Sequence, residues 1–285
     1  MSIKIITDSS SDITQEQAKE LDIIVVPISI NFGEENYLDG ISINSEEFYK
    51  KLTTCKELPK TSQPSPDVFL SYFNDAKSKD DEVIVLPISQ KLSGTIQSAR
   101  LAAEISQYDK IYIMDSENVI IGLKCLVLYA VELVKNGLSA QEIIDKIKLA
   151  KEQLCIFACI DTLEYLKRGG RISHLSAIAG TLLYIKPIAT MKDGEITILD
   201  KVRGTSFAYE KIWELVSLSG GIDHSMPYAV GYTGADFDIT PFLSAKNSTL
   251  SLSDIPEITR IGATVGTHLG PKTCGIAYFK KSSVL

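Results

Sequence analysis

The chain has 285 residues and a mass of 31.3 kDa, enough to bury roughly three quarters of the surface its unfolded form exposes. Apolar residues make up 45% and charged residues 23%, which excludes a collagen, a coiled coil, a secreted disulfide scaffold and a disordered chain. The formal charge of −7 disfavours a nucleic-acid backbone and an anionic lipid surface as partners.

Met1 to Asp8 reaches an acid too soon for a signal peptide and reads as a leading strand over Ile3 to Thr7. A polar loop, Asp8 to Asp12, follows, and Thr14 caps a short helix through Leu21. Ile23 to Ile30 is apolar and β-branched, broken by Pro27. Ser45-Glu46-Glu47 opens a helix with its acids in the first turn, where the helix dipole favours them. Ser65-Pro66-Asp67 starts another, with Pro at the first helical position. Val83 to Ile88 predicts a buried strand, Gly94 to Ile105 a helix rich in small residues, and Ile111 to Met114 a strand. Gly122 to Asn136 predicts a long apolar helix stopped by Gly137, and Ser139 starts one more. Strands alternating with helices in this way imply βαβ units around a parallel sheet.

Beyond residue 155 the pattern changes. Cys155 to Ile160, Ile185 to Met191, Glu195 to Lys201, Tyr228 to Tyr232 and Gly275 to Phe279 read as strands. Asp193-Gly194 between two of them is a hairpin signal. Helical patterns lie around Ser173 to Leu183 and Tyr209 to Leu218. The expected architecture is α/β in two domains. Residues 1–155 form a Rossmann-like unit on a parallel sheet. Residues 156–285 form an α+β unit on a mainly antiparallel sheet with helices on one face. No apolar run reaches the roughly 18 residues of a bilayer span.

Leu92-Ser93-Gly94-Thr95 lies between a strand and a helix, where a tight turn frees backbone N–H groups and the hydroxyls of Ser93 and Thr95 add donors. It suits an anionic oxygen, and equally an ordinary helix cap. Lys60-Thr61-Ser62-Gln63-Pro64-Ser65-Pro66 is a proline-stiffened loop that presents hydroxyls, or simply a linker into a capped helix. Lys167-Arg168-Gly169-Gly170-Arg171 sets two arginines around a flexible Gly pair, fit to clamp a phosphate or meet a partner's acid, or to complement a helix end. Of three histidines, His174, His224 and His268, only His268 lies between glycines, in Gly266-Thr267-His268-Leu269-Gly270-Pro271. It suits a carboxylate contact or proton transfer, and also a plain structural role.

Other chemistry is missing from the sequence. Phosphate loop, nucleophile elbow, His-Glu-x-x-His, Cys-x-x-Cys and EF-hand patterns are absent, so neither a catalytic residue nor a metal or other cofactor is expected. The five cysteines, Cys55, Cys125, Cys155, Cys159 and Cys274, read as reduced thiols of a cytosolic protein, with Cys155 and Cys159 on one face of a strand. Asp8, Asp12, Asp115 and Asp161 at strand ends read as loop hydrogen-bonders.

Taken in order, seven segments resemble the DegV family over nearly the whole chain: Thr7-Asp8-Ser9, Lys60 to Pro66, Leu92 to Thr95 with Ser98-Ala99, Asp115-Ser116 with Gly122, Leu166 to Ile172, Lys186-Pro187-Ile188 and the His268 segment. The resemblance implies a long-chain fatty acid, palmitate for example, buried between or beneath the two domains. Its carboxylate would be held by the hydroxyls of Thr61 and Ser93 with His268 close by. Ser62, Thr95 and the N–H of Gly94 are further donors in reach by sequence. In several bacteria such proteins resemble the carrier subunit of a fatty acid kinase, in which a separate kinase phosphorylates the bound acid. This chain would then be a non-catalytic cytoplasmic carrier and, lacking an exposed apolar stripe, a monomer. Arg203 matches a family basic position, and with Arg168 and Arg171 it would face the kinase. Two positions depart from the family pattern: Lys272 stands where Gly is usual after Gly-Pro, and Gly204 follows Arg203 where Thr is frequent. A small-molecule phosphotransferase or hydrolase of the same fold is the alternative.

Overall fold

The computed structural model describes residues 2–172, 184–245 and 257–281. The helical pattern expected over Ser173 to Leu183 lies outside them, as does His174. The parallel sheet is formed by β1 (Ile3–Asp8), β2 (Ile23–Val26), β6 (Glu82–Val85) and β7 (Ile111–Ile113), in the order β2-β1-β6-β7. Alternate residues of these strands face opposite ways. Ile6, Val83 and Val85 pack against Phe69, Phe73, Ala99 and Ala102 of the helices Pro66–Lys79 and Thr95–Ser106. Ile5 and Ile84 face Leu126 of helix Ile120–Lys135 and Ile143 of helix Ala140–Gln153.

Local chemistry sets the boundaries. Thr14 caps its helix in a reciprocal box with Gln17. The next helix, Ser45–Thr54, opens at Ser45 as the sequence suggested, and Asn44 caps it: Asn44 Oδ1 accepts from Glu47 N at 2.9 Å while Glu47 Oε2 accepts from Asn44 N at 3.2 Å. Pro27 lacks an N–H and ends one sheet where another begins. The apolar run around it divides into β2 and β3 (Ser29–Phe32), which pairs with β4 (Glu35–Leu38) and β5 (Lys60–Ser62) in a separate three-stranded antiparallel sheet. Thr61 and Ser62 therefore stand on a strand rather than in a loop.

The third sheet is formed by β8 (Leu154–Cys159), β9 (Ile185–Lys192), β10 (Glu195–Arg203), β11 (Tyr228–Tyr232), β12 (Ile258–Arg260) and β13 (Cys274–Phe279), in the order β10-β9-β8-β13-β11-β12. Only the β11–β12 pair is parallel. Asp193 and Gly194 take φ of 51° and 80°, which both positions of the tight hairpin turn require. Cys155 and Cys159 share the face of this sheet that packs on helix Thr205–Leu218, and burial pushes the Cys159 thiol up to about 12.

Helices on one face only were expected for this sheet. The structure differs: its other face, including Ile156, Ala229 and Ala277, packs in the cluster that contains helix Ile120–Lys135. That helix is apolar around nearly its whole circumference, so it has no face to give to water. Gly231 lets it approach, since a Cβ there would lie 3.0 Å from Ile121 Cγ2. Its one buried cation, Lys124, is ion-paired with Glu257 and donates to Thr259 Oγ1 at 3.2 Å and to Asp12 O at 3.3 Å. Ser89 Oγ, after β6, donates to Gly194 O at 2.7 Å. Both halves of the chain thus share one apolar cluster. Tyr184 and Phe207 are exposed near Gly204, whose N–H donates to Tyr184 O at 2.9 Å. Among the described residues no helix is long and apolar enough to cross a membrane.

Candidate functional site

In an open parallel sheet the loops beyond the carboxyl ends of the strands form a natural crevice. Here Ile28 follows β2, Ile88, Leu92, Ser93 and Gly94 follow β6, and Val119 follows β7, and all contribute to one cavity of about 300 Å³. The other walls come from Thr61 on β5, Arg171, Ile196 on β10, and Thr264, Val265 and His268 on helix Ala263–Leu269. Val119, Ile196 and Val265 also wall a narrow adjoining cleft of about 30 Å³, lined otherwise by Ile120, Ile156, Ala158, Ile160, Ala189, Thr190, Met191 and Leu269. A polar chamber therefore meets an apolar slot at three shared side chains.

Thr61 Oγ1 and His268 Nε2 stand 3.1 Å apart. Burial, with the Arg171 charge adding to it, lowers the His268 pKa to about 4, so the imidazole is neutral near pH 7. Its Nδ1 is buried and has no partner. A buried unpaired N–H costs more than an unpaired acceptor lone pair, which assigns the proton to Nε2. Nε2–H then donates to Thr61 Oγ1 and leaves the threonine proton to be given to a ligand. Gly169 sits on the far side of the ring, where a Cβ would overlap Nδ1. Its partner Gly170 takes φ 66°. The Gly pair is thus a close approach followed by a left-handed turn, not a flexible hinge.

Gly94 caps helix Thr95–Ser106, and a Cβ on it would overlap the Gln63 amide. Gln63 can lie across the turn for that reason, with Nε2 donating to Ser98 Oγ at 2.9 Å. Ser93 Oγ accepts from Thr95 N at 3.3 Å and is 2.9 Å from Thr95 Oγ1. With Thr95 as donor, the Ser93 proton is free for the chamber. Arg171 donates from Nε to Leu92 O at 3.1 Å and from Nη1 to Gly169 O at 2.7 Å, which fixes the guanidinium and leaves further N–H groups unused by those bonds.

Of the residues singled out by sequence, Thr61, Ser62, Ser93, Gly94, Arg171 and His268 all border the chamber. The Ser62 hydroxyl, one residue along the strand from Thr61, accepts from Asn31 Nδ2 at 3.2 Å. Thr95 is fully buried behind Ser93 and is not a wall. Arg168 is exposed and ion-paired with Glu164 at 2.5 Å, and Arg203 is exposed at the end of β10; neither borders the chamber. Lys272 is exposed at φ 65°, a conformation natural to glycine, and is not a wall either. Gly204 takes φ 95° as the cap of helix Thr205–Leu218, so its turn favours glycine.

Ile28, Thr264 and Val265 escaped the sequence reading because they lie in short runs of small and apolar residues with no polar pattern. The strand-end acids behave as expected. Asp8 accepts from Ser10 N at 3.0 Å and Ile88 N at 2.8 Å, Asp115 from Gln90 N at 3.2 Å, and Asp161 is ion-paired with Lys186.

The fold and the chamber define an α/β protein whose cavity, part polar and part apolar, draws walls from both halves of the chain. The family profile described as "Uncharacterised protein, DegV family" matches residues 2–281, and the chain belongs to the DegV family. A DegV domain-containing protein of Caldanaerobacter subterraneus is 37% identical over 284 residues, covering 98% of this chain and 99% of that one. Among solved structures, the fatty acid-binding DegV family protein of Thermus thermophilus is 32% identical with a TM-score of 0.86, covering 98% of this chain and 100% of its own. DegV of Bacillus subtilis, a fatty acid binding protein, is 31% identical with a TM-score of 0.83, covering 99% and 100%.

The His268 environment predicts a pH effect. Its pKa is near 4 folded against 6.5 for the free group, so between those values the unfolded chain binds more protons and stability is lost as pH falls. Burial raises the pKa of Asp8, Asp12 and Asp39, which acts in the opposite sense. Comparison with His268→Gln isolates the imidazole. Urea unfolding should show the variant gaining about 2 kcal/mol on the parent between pH 7 and pH 5. An equal difference at both pH values contradicts a buried neutral imidazole.

Proposed function

We propose that this chain binds a long-chain fatty acid, with the carboxylate on the polar side chains of the chamber and the acyl chain running along the chamber's apolar walls into the slot, which at about 30 Å³ must open to admit it. The observation that carries the reading is the chamber itself: the hydroxyl residues Thr61 and Ser93 and the guanidinium-bearing Arg171 all border one cavity, which shares Val119, Ile196 and Val265 with an apolar cleft. The solved relatives of Thermus thermophilus and Bacillus subtilis support it, being fatty acid-binding proteins. On this reading residues 1–155 supply Thr61 and Ser93, while residues 156–285 supply Arg171 and His268.

The energetics are consistent. Burying about 14 methylenes releases roughly 10 kcal/mol gross at about 0.8 kcal/mol each. Association consumes about 4–15 kcal/mol, so affinity depends on a head group that loses nothing on burial. A neutral His268 adds no charge, and its Nε2–H turns Thr61 into a donor. Each methylene is worth only about 1 kcal/mol, so preference among chain lengths should be graded.

The chain would act as a carrier that presents the carboxylate to a separate kinase for acyl phosphate formation. Its sequence has no nucleotide loop. The exposed edge at Arg203, where Tyr184 and Phe207 flank Gly204, combines positive charge with apolar surface and suits such a partner. Arg168 adds charge on helix Glu164–Arg168.

Palmitate and oleate titrations should find that Thr61→Val and Ser93→Ala each weaken binding about tenfold, as loss of a bond to a charged group requires. Unchanged affinity in both variants rules out this head-group assignment. For the carrier role, Arg203→Ala should weaken capture of the host's fatty acid kinase while leaving fatty acid affinity intact. A parent chain that forms no complex with that kinase refutes the partnership.

A further inference from the structure

His268 is carried by a helix of seven residues, Ala263–Leu269, too short to hold its direction through its own hydrogen bonds. Its start is held from elsewhere. Gly262 N donates to Asp12 Oδ1 at 2.8 Å, and Ala263 N and Thr264 N donate to Asp39 Oδ1 and Oδ2 at 3.1 and 2.9 Å. Three successive backbone N–H groups are thus taken up by two buried side chains more than 200 residues away, at separations of 250, 224 and 225. Thr264 Oγ1 also donates to Asp39 Oδ2 at 2.5 Å.

The network runs on to the chamber wall. A carboxylate only accepts, so with Asp39 ionised the Thr264 proton points to it. Ser9 Oγ, 3.1 Å from Thr264 Oγ1 and also hydrogen-bonded to Asp39, shares its proton with this pair while itself accepting from Ile28 N at 3.1 Å. Thr264 and Ile28 are both walls of the chamber. Midway along the helix, Gly266 rests on Tyr49 and Phe48, where a Cβ would stand 2.6 Å from Tyr49 Oη and 2.7 Å from Phe48 Cε1. The helix is therefore located at its start and its middle, and its last turn sets His268 against Thr61 and Gly169.

We infer that Asp39 is a positioning residue of the head-group chamber, acting through helix Ala263–Leu269 on His268, with Asp12 as the second clamp. Asp39 does not itself border the chamber. The inference rests on the reading of that chamber as a carboxylate site.

The test uses the full chain with ¹⁵N-labelled histidine. Long-range ¹H–¹⁵N spectra without ligand report the His268 ring nitrogens, and palmitate titration reports affinity. The variants are Asp39→Asn, which puts a donor where an acceptor is needed, and Thr264→Val, which removes one hydroxyl at constant shape. Asp39→Asn should move the His268 signals and weaken palmitate binding about tenfold. Adding it to His268→Ala should cost nothing beyond His268→Ala alone, because coupled residues are not additive. Thr264→Val should act in the same direction to a smaller extent, and it carries the test alone should Asp39→Asn fail to fold. Unmoved His268 signals in a folded variant, or losses that multiply with His268→Ala, overturn the inference and leave Asp39 a general stabiliser. A parent chain that takes up no palmitate refutes the fatty acid reading instead, and the His268 signals still decide whether Asp39 controls the imidazole.

Discussion

Thr61 Oγ1 and His268 Nε2 stand 3.1 Å apart although 207 residues separate them along the chain, and much of the architecture serves that meeting. A carboxylate taken out of water needs donors already in place, because reorganising them after it arrives would forfeit the affinity. Thr61 is held by the small sheet that Pro27 splits away from the parallel one. Ser93 is held by the turn that leads from β6 into a helix. His268 comes from the other half of the chain. Helix Ile120–Lys135 makes the two halves one body, since both the parallel sheet and the six-stranded sheet pack in its apolar cluster.

Glycine contributes room at this site more than conformational freedom. Gly94 and Gly169 have ordinary negative φ, of −78° and −74°, yet a Cβ on either would overlap the side chain laid across it, Gln63 in one case and His268 in the other. The imidazole so admitted is largely buried, whereas Gln63 stays exposed above its turn. The same burial holds the His268 imidazole neutral and keeps the thiols of Cys125 and Cys159 inert, each pushed up to about 12.

Much of this was legible from the residues alone. Helix starts at Thr14, Ser65 and Ser139, the Asp193-Gly194 turn and the alternation of strands with helices are local signals, and local signals survive folding. The donors Thr61, Ser93 and His268 also stood out, by their motifs and their order along the chain. The three-stranded sheet did not, because β4 is largely exposed and β5 has three residues with no apolar pattern. Helix Ala263–Leu269 was invisible for a related reason. Its small residues have weak periodicity, and its capping carboxylates, Asp12 and Asp39, come from remote loops. The second face of the six-stranded sheet was misread because its cover is supplied by a helix from the other half.

The account stands on one claim, that the polar chamber and apolar slot together take one long-chain fatty acid. Native mass spectrometry of the purified chain, before and after solvent extraction, measures that most directly. The predicted result is one fatty acid per chain, released by extraction and restored by added palmitate or oleate. A bare polypeptide mass that neither lipid changes would contradict it.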